Sequence, residues 1–360
     1  MLRTATNRST LLGALMLLSL LLAGTQDVHA STVTYDKDFS ETPGSVLLSW
    51  KRAYYQDLDI AGSTSMQMPF GLAKPNGYDS SGSTKYPLVL YLHGAGARGD
   101  SDAMMQRTTA RFFAESAQTT PAYNAFVLAP QCASSHQWAE TPFSGGPYTL
   151  GAGTYGEYMH LAENLLGYLA DSGNNANLAT ALGINAAHID LSRIYVVGDS
   201  MGAYGTWDIV ARQPDLFAAA IASAGSGPKN KLTELLQTPF WAIHGENDPT
   251  VPNYLPHAGD LDGAGSLGML GLIDPTFDGS TSTTIIYVDN PSLSGDDPVA
   301  QTLIYTEYSG AGHEVATSWT GNTSGIREWM FAQAIPEPGI FLLIGLSGLM
   351  LALSRRRKRS

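Results

Sequence analysis

The chain has 360 residues, of which 44% are hydrophobic and 14% charged, a composition too apolar for an intrinsically disordered protein. Its 20 basic and 32 acidic residues give a net charge of −12, which is the wrong sign for a general nucleic-acid-binding protein. The single cysteine, Cys132, excludes an intramolecular disulfide, a zinc ribbon and an iron–sulfur cluster. We therefore predict a globular protein with no nucleic-acid partner, whose stability depends on its core.

Residues 1–30 have the organisation of a secretory signal peptide. Arg3 and Arg8 form a basic region, an apolar run follows over residues 11–23, and Val28-His29-Ala30 is a small-residue cleavage site. We predict export and cleavage by signal peptidase after Ala30. A buried N-terminal helix is the alternative.

The middle of the chain alternates short β-branched or aromatic runs with segments of helical periodicity, which is typical of βαβ units. The predicted strands are residues 66–72, 88–92, 125–129, 193–197, 218–221, 240–243 and 303–308. The predicted helices are residues 103–117, 157–169, 203–212 and 325–334. Residues 253–283 lack clear periodicity and are predicted to be an insertion loop. The fold class predicted for residues 31–334 is α/β, a single domain with a mainly parallel central sheet flanked by helices.

A candidate nucleophile lies in Gly198-Asp199-Ser200-Met201-Gly202, which matches the pattern G-x-S-x-G. The pattern alone is weak evidence because glycine is common in this chain. Here an apolar strand runs directly into Gly198 and a predicted helix follows Gly202, which is the strand–turn–helix that a nucleophile elbow requires. Ser200 is therefore predicted to be an exposed nucleophile.

A serine hydroxyl needs a base to take its proton, and the base needs a carboxylate to orient it. Asp248 follows the predicted strand 240–243 and His313 follows the strand 303–308, so both lie at carboxyl ends of strands, where open α/β sheets bind ligands. Asp248 is the predicted acid and His313 the predicted base. Glu246 is the alternative acid and His257 the alternative base.

An oxyanion hole is predicted from the small residues that follow the strand 88–92, in His93-Gly94-Ala95-Gly96. Such residues let backbone N–H groups approach a developing negative charge. The predicted donors are the amides of Ala95 and Met201. His93 is predicted to brace this loop, not to act as a second base.

These segments resemble the α/β-hydrolase superfamily, and within it bacterial esterases and prolyl-oligopeptidase-like hydrolases related to phospholipase/carboxylesterases and to feruloyl or polyhydroxybutyrate-type esterases. The matching segments are residues 86–100, 129–132, 192–207, 244–248, Trp138 and His313. The resemblance implies an ester substrate, a nucleophile at Ser200, an acid at Asp248, a base at His313 and no metal or organic cofactor. The segment between Asp248 and His313 is longer than this group leads us to expect, so residues 253–283 are a candidate lid or substrate wall.

Two alternative functions and one candidate metal stay open. A serine peptidase of prolyl-oligopeptidase-like type is the nearest enzymatic one, and a non-catalytic envelope or matrix protein on a hydrolase scaffold belongs to another class. Asp100, Asp102 and Asp260 are candidate calcium ligands, although their spacing is not that of an EF-hand.

The C-terminus combines Ile335-Pro336-Glu337-Pro338, an apolar stretch over residues 339–353 and a basic cluster at residues 355–359. This arrangement resembles the PEP-CTERM sorting signal, and residues 335–360 are assigned to it. The resemblance implies processing by an exosortase and delivery to the cell envelope or the extracellular matrix. A C-terminal membrane anchor is the alternative.

Overall fold

The computed structural model describes residues 31–57, 66–139, 146–151, 156–255, 263–275, 277–278, 286–289, 303–323 and 325–335. The predicted signal peptide, the sorting segment beyond Ile335, His257 and Asp260 lie outside the described residues. Among the described residues, no helix is long and apolar enough to span a membrane.

The described residues form a mixed sheet flanked by helices. The strands are β1 (Thr32–Glu41), β2 (Leu48–Gln56), β3 (Gln67–Ala73), β4 (Tyr86–Leu92), β5 (Phe126–Pro130), β6 (Ile189–Asp199), β7 (Ala219–Ser223), β8 (Phe240–Gly245), β9 (Ile286–Asp289) and β10 (Leu303–Tyr308). The helices are α1 (Thr108–Thr119), α2 (Glu157–Ala170), α3 (Asn175–Ala181), α4 (Met201–Arg212), α5 (Leu232–Leu235), α6 (Gly265–Ile273), α7 (Val315–Asn322) and α8 (Ile326–Ala332).

The strand order is β1-β2-β3-β5-β4-β6-β7-β8-β10-β9, and all neighbours from β5 to β9 run parallel. The predicted α/β class with a mainly parallel sheet is confirmed. The first three strands instead pair antiparallel at one edge. The chain order reverses between β4 and β6, which makes the carboxyl ends of these two strands the place where such sheets bind ligands.

The central strands are buried on both faces, which explains their continuous apolar sequences. Alternate residues of β4 enter two different core clusters, with Leu88 and Leu90 on one face of the sheet and Val89 and Tyr91 on the other. Helices cover both faces, so the sheet sits between two apolar layers.

The structure contains several elements that were not predicted, among them the helices α3, α5 and α7. The strands β1 and β2 were not predicted, because β1 carries Asp36, Lys37 and Asp38, residue types that are rare in strands. Strand β9 was not predicted either. The segment 253–283 was expected to lack regular structure, but its described part contains α6.

A close backbone contact fixes α4 against β4. A Cβ atom added at Gly202 would lie 1.8 Å from the carbonyl oxygen of Leu92, far inside van der Waals contact. Only glycine at this position lets the start of the helix reach the end of the strand.

We expect Gly202→Ala to lower the free energy of unfolding by at least about 2 kcal/mol. The new Cβ atom would overlap the backbone carbonyl group of Leu92, so the backbone of the strand or of the helix has to move. Gly321→Ala is the matched control, since a Cβ atom there meets nothing within 4 Å. Gly321 lies in α7, so alanine should leave stability unchanged or raise it slightly. Chemical denaturation of both variants checks this, and equal effects would contradict it.

Candidate active site

Ser200 occupies a strained turn between β6 and α4. Its φ of 54° lies in the left-handed region, which is unusual for a residue with a side chain. The turn is held by the Ser200 N–H, which donates to the carbonyl of Ser223 at 2.8 Å, and by the Ser200 carbonyl, which accepts from the N–H of Ala203 at 2.8 Å. The strand–turn–helix predicted around Ser200 is therefore present.

Ser200, His313 and Asp248 form a continuous chain of hydrogen bonds. Ser200 Oγ lies 2.9 Å from His313 Nε2, and His313 Nδ1 lies 2.7 Å from Asp248 Oδ2. Since a carboxylate only accepts, Nδ1 carries the ring proton and Nε2 is left to accept from the serine hydroxyl. The structure thus brings together the three side chains that the sequence placed at strand ends.

The Asp248 carboxylate is buried and held in its ionised form. Its Oδ1 accepts from the N–H groups of Thr250 and Val251, each at 2.8 Å. Burial by itself raises the pKa of Asp248, but contacts with His244, His313 and these two amides outweigh it and hold the pKa well below its usual value. The carboxylate therefore stays charged beside His313 across the physiological range.

His244 is a buried partner of Asp248 that the sequence did not single out. Its Nε2 lies 3.0 Å from the carbonyl of Val251 and 3.5 Å from Asp248 Oδ2. Its Nδ1 lies 2.9 Å from Ser266 Oγ, at the start of α6. His244 therefore ties the Asp248 loop to a helix of the 253–283 segment, a link made by residues too far apart in sequence to be recognised.

Two backbone amides begin the elements that adjoin the serine turn. Met201 is the first residue of α4, and Ala95 is the first residue of a short 3-10 turn over Ala95–Ala97. The N–H groups of first helical residues have no partner within the helix, so these two N–H groups are candidate donors of hydrogen bonds to a developing negative charge. The loop lies close to the serine, since a Cβ atom at Gly94 would be 3.4 Å from Ser200 Cβ.

His93 holds this loop in place. Its Nε2 accepts from the N–H of Cys132 at 3.0 Å, and its Nδ1 lies 2.8 Å from the carbonyl of Gly94. Burial lowers the pKa of His93 to about 4, so the ring is neutral and serves as a brace. Cys132 is also buried, which raises the pKa of its thiol to about 12 and makes it unreactive.

The alternative acid and the calcium candidates have other contacts. Glu246 accepts from the Ser309 hydroxyl and the Gly310 N–H, at 2.8 and 2.7 Å. It thus shapes the loop before His313, whereas His313 itself bonds to Asp248. Among the described residues no group of side chains suits a metal ion.

The carboxylates of Asp100 and Asp102 contact the guanidinium of Arg52. Asp102 also pairs with Lys37 at 2.9 Å. These two acids therefore balance cations of β1 and β2.

The arrangement is suited to acyl transfer. It combines a serine hydroxyl with a base within hydrogen-bond distance, a buried carboxylate that orients the base, and two helix-start amides on the elements next to the serine. His313 is about a quarter exposed, with 26% of its side chain accessible, so the base is open to a ligand from solvent.

Comparisons with known proteins identify the fold. No family model and no curated protein matches the chain. A thermostable esterase of known structure has a TM-score of 0.51 and 23% identity, over 86% of this chain and 78% of its own. The feruloyl esterase module from Clostridium thermocellum has a TM-score of 0.46 and 12% identity, over 86% of this chain and 96% of its own. S-Formylglutathione hydrolase from Agrobacterium tumefaciens has a TM-score of 0.46 and 11% identity, over 83% of this chain and 99% of its own. The similarity to the thermostable esterase confirms the expected α/β-hydrolase fold.

We expect His244→Leu to slow the reaction of Ser200 with a fluorophosphonate by roughly tenfold to a hundredfold, because the Asp248 loop loses its anchor and the base shifts. His188→Leu is the control, since His188 is also buried and lies 2.9 Å from both Tyr78 Oη and the Gly82 carbonyl. Both variants should lose about 1–3 kcal/mol of stability. Equal labelling rates in the two variants would contradict a role for His244 at the site.

Proposed function

We propose that this chain is a serine hydrolase that cleaves carboxylic esters through an acyl-enzyme on Ser200. The observation that carries the proposal is the hydrogen-bonded chain Ser200–His313–Asp248 at the carboxyl edge of the sheet, beside the amides of Ala95 and Met201. The fold shared with a thermostable esterase supports the choice of an ester as substrate.

In the proposed reaction, Ser200 Oγ attacks the ester carbonyl carbon while its proton passes to His313 Nε2. The amides of Ala95 and Met201 stabilise the resulting oxyanion. The tetrahedral intermediate collapses, the bond to the alcohol oxygen breaks, and His313 donates the proton to that oxygen. Water then attacks the acyl-enzyme with His313 again as base, which releases the acid and restores Ser200. Asp248 stays ionised and stabilises the imidazolium each time it forms.

Ser200→Ala should lower the hydrolysis of p-nitrophenyl acetate by roughly 10³-fold or more, because no other group takes over as nucleophile. The variant should remain folded, since the hydroxyl that it loses bonds only to His313 among the described residues. Steady-state kinetics and a thermal melt check both points. Unchanged hydrolysis would rule out the mechanism, and a wild type that a fluorophosphonate does not label would favour a non-catalytic protein.

The acyl group and the alcohol are best assigned with substrates that differ in one part at a time. A panel of acetylated, feruloylated and polyester substrates, with a matched peptide amide, separates an esterase from a peptidase. The proposal expects the ester to be cleaved faster than the amide of the same acyl group.

We further propose that the chain is exported and then sorted to the cell envelope or the extracellular matrix. The basic, apolar and small-residue regions of residues 1–30 and the three-part C-terminal segment support this. Signal peptidase and an exosortase would act at the two ends.

Replacing the basic residues 355–359 with glutamine should impair sorting and leave unprocessed chain in the membrane fraction, because these charges hold the extreme end in the cytoplasm. Replacing Lys85 and Lys229, which are exposed on the folded domain, is the control and should change nothing. Fractionation and mass spectrometry of the C-terminus check this. Normal processing without the basic cluster would count against an exosortase.

A further inference from the structure

Asp199 is a buried carboxylate that the proposed reaction does not use. It is the last residue of β6 and directly precedes Ser200, and its exposed fraction is 0%. Burying a charge without strong hydrogen bonds is costly, so such a group at this position calls for a physical account.

The groups around Asp199 come from the oxyanion loop and from the start of α1. Tyr91, Arg107, Thr109 and the N–H of Gly94 all interact electrostatically with its carboxylate. Among the described residues, neither oxygen of Asp199 has a hydrogen bond of normal geometry, and the same holds for Tyr91 Oη, Arg107 Nε and Thr109 Oγ1. The cluster is thus a set of buried polar atoms that face one another, with one carboxylate and one guanidinium as its charges.

Among the described residues, β7 and the first turn of α4, which also adjoin Asp199, bring no charged side chain to it. Ser223 of β7 is the register partner of Asp199. The first turn of α4, from Met201, carries only uncharged side chains.

Asp199 also touches the loop that carries Ala95. A Cβ atom built on Gly94 would lie 3.3 Å from Asp199 Oδ2, so the carboxylate is packed against the loop backbone. Arg107 occupies the N-cap position of α1, at the other end of the segment that continues from this loop, and its side chain makes no capping hydrogen bond. One carboxylate therefore joins the serine turn, the oxyanion loop and the helix start.

We propose that ionised Asp199 is a positioning residue, which with Arg107 holds the 93–98 loop against the serine turn so that the Ala95 and Met201 amides face the same point. The proposal rests on the proposed function. When Asp199 takes up a proton, the attraction to Arg107 and to the Gly94 N–H is lost and the loop loosens.

Asp199 is expected to change its protonation state within the pH range of an activity assay. Burial raises its pKa to about 6, against the opposing effects of Tyr91, Arg107, Gly94 and Thr109. The proposal requires the ionised form of Asp199 for full activity, so protonation of Asp199 should contribute one proton to the loss of activity on the acid side.

The test compares Asp199→Asn with wild type and with Asp190→Asn, a control at the opposite end of β6 that bonds to Ser192 and Arg193. The logarithm of kcat for p-nitrophenyl acetate is measured from about pH 4.5 to 8. On the acid side the slope of Asp199→Asn should be lower by about one than the slopes of the wild type and of Asp190→Asn, because the variant lacks the proton taken up by Asp199. At pH 8, Asp199→Asn should lower kcat by roughly tenfold and leave KM within about twofold, because the oxyanion donors act in the transition state. An unchanged slope in Asp199→Asn would overturn the proposal.

A second measurement does not depend on catalysis. Hydrogen exchange of the 93–98 loop at pH 8 should be faster in Asp199→Asn than in the wild type and in Asp190→Asn. Equal exchange would overturn the proposal. Faster exchange in a protein that hydrolyses no ester would refute the proposed function and leave the link between Asp199 and the loop intact.

Thermal melts give the sign of the linkage. Because folding raises the pKa of Asp199, its stabilising contribution is complete below its unfolded pKa and is lost as the pH rises through about 6. The melting temperature of Asp199→Asn relative to wild type should thus be higher at pH 8 than at pH 5. A difference that is the same at both pH values would contradict the titration of Asp199 in this range.

Discussion

The parallel register of β4, β6, β7, β8 and β10 is the constraint on which the site depends. Parallel strands end at the same edge of a sheet, so the loops after them meet although they are far apart in sequence. Ser200 and His313 are separated by 113 positions, yet their side chains are in hydrogen-bond contact. Each strand places one part: β4 the oxyanion loop, β6 the serine, β8 the carboxylate and β10 the histidine.

At the two buried carboxylates of the site, burial and polar contacts shift the pKa in opposite directions. Burial makes the ionised form of Asp248 unfavourable, and amides and histidines restore it, whereas at Asp199 burial prevails. The two carboxylates therefore differ in charge behaviour, although Asp199 directly precedes Ser200 and Asp248 bonds to its partner His313. Their different surroundings would let one stay permanently ionised while the other responds to pH.

The sequence predicted much of this because the relevant signals are local. An apolar strand, a glycine turn and an acid or base just after a strand are each read within a few residues, which gave the core strands and the positions of Ser200, Asp248 and His313. The edge strands were missed because their charges pair across strands, as Lys51 does with Asp38. His244 was missed because its contact with Ser266 spans 22 positions, and helix α6 because its glycines and serine conceal the periodicity.

The single thiol can serve as a probe of local unfolding next to the oxyanion loop. Cys132 is fully buried, and its N–H bonds to the histidine that braces the oxyanion loop. A thiol reagent can reach it only when that region separates from the core. Since the chain has no other cysteine, the rate of thiol modification would report the opening of this one region. The measurement would need no substitution in the protein.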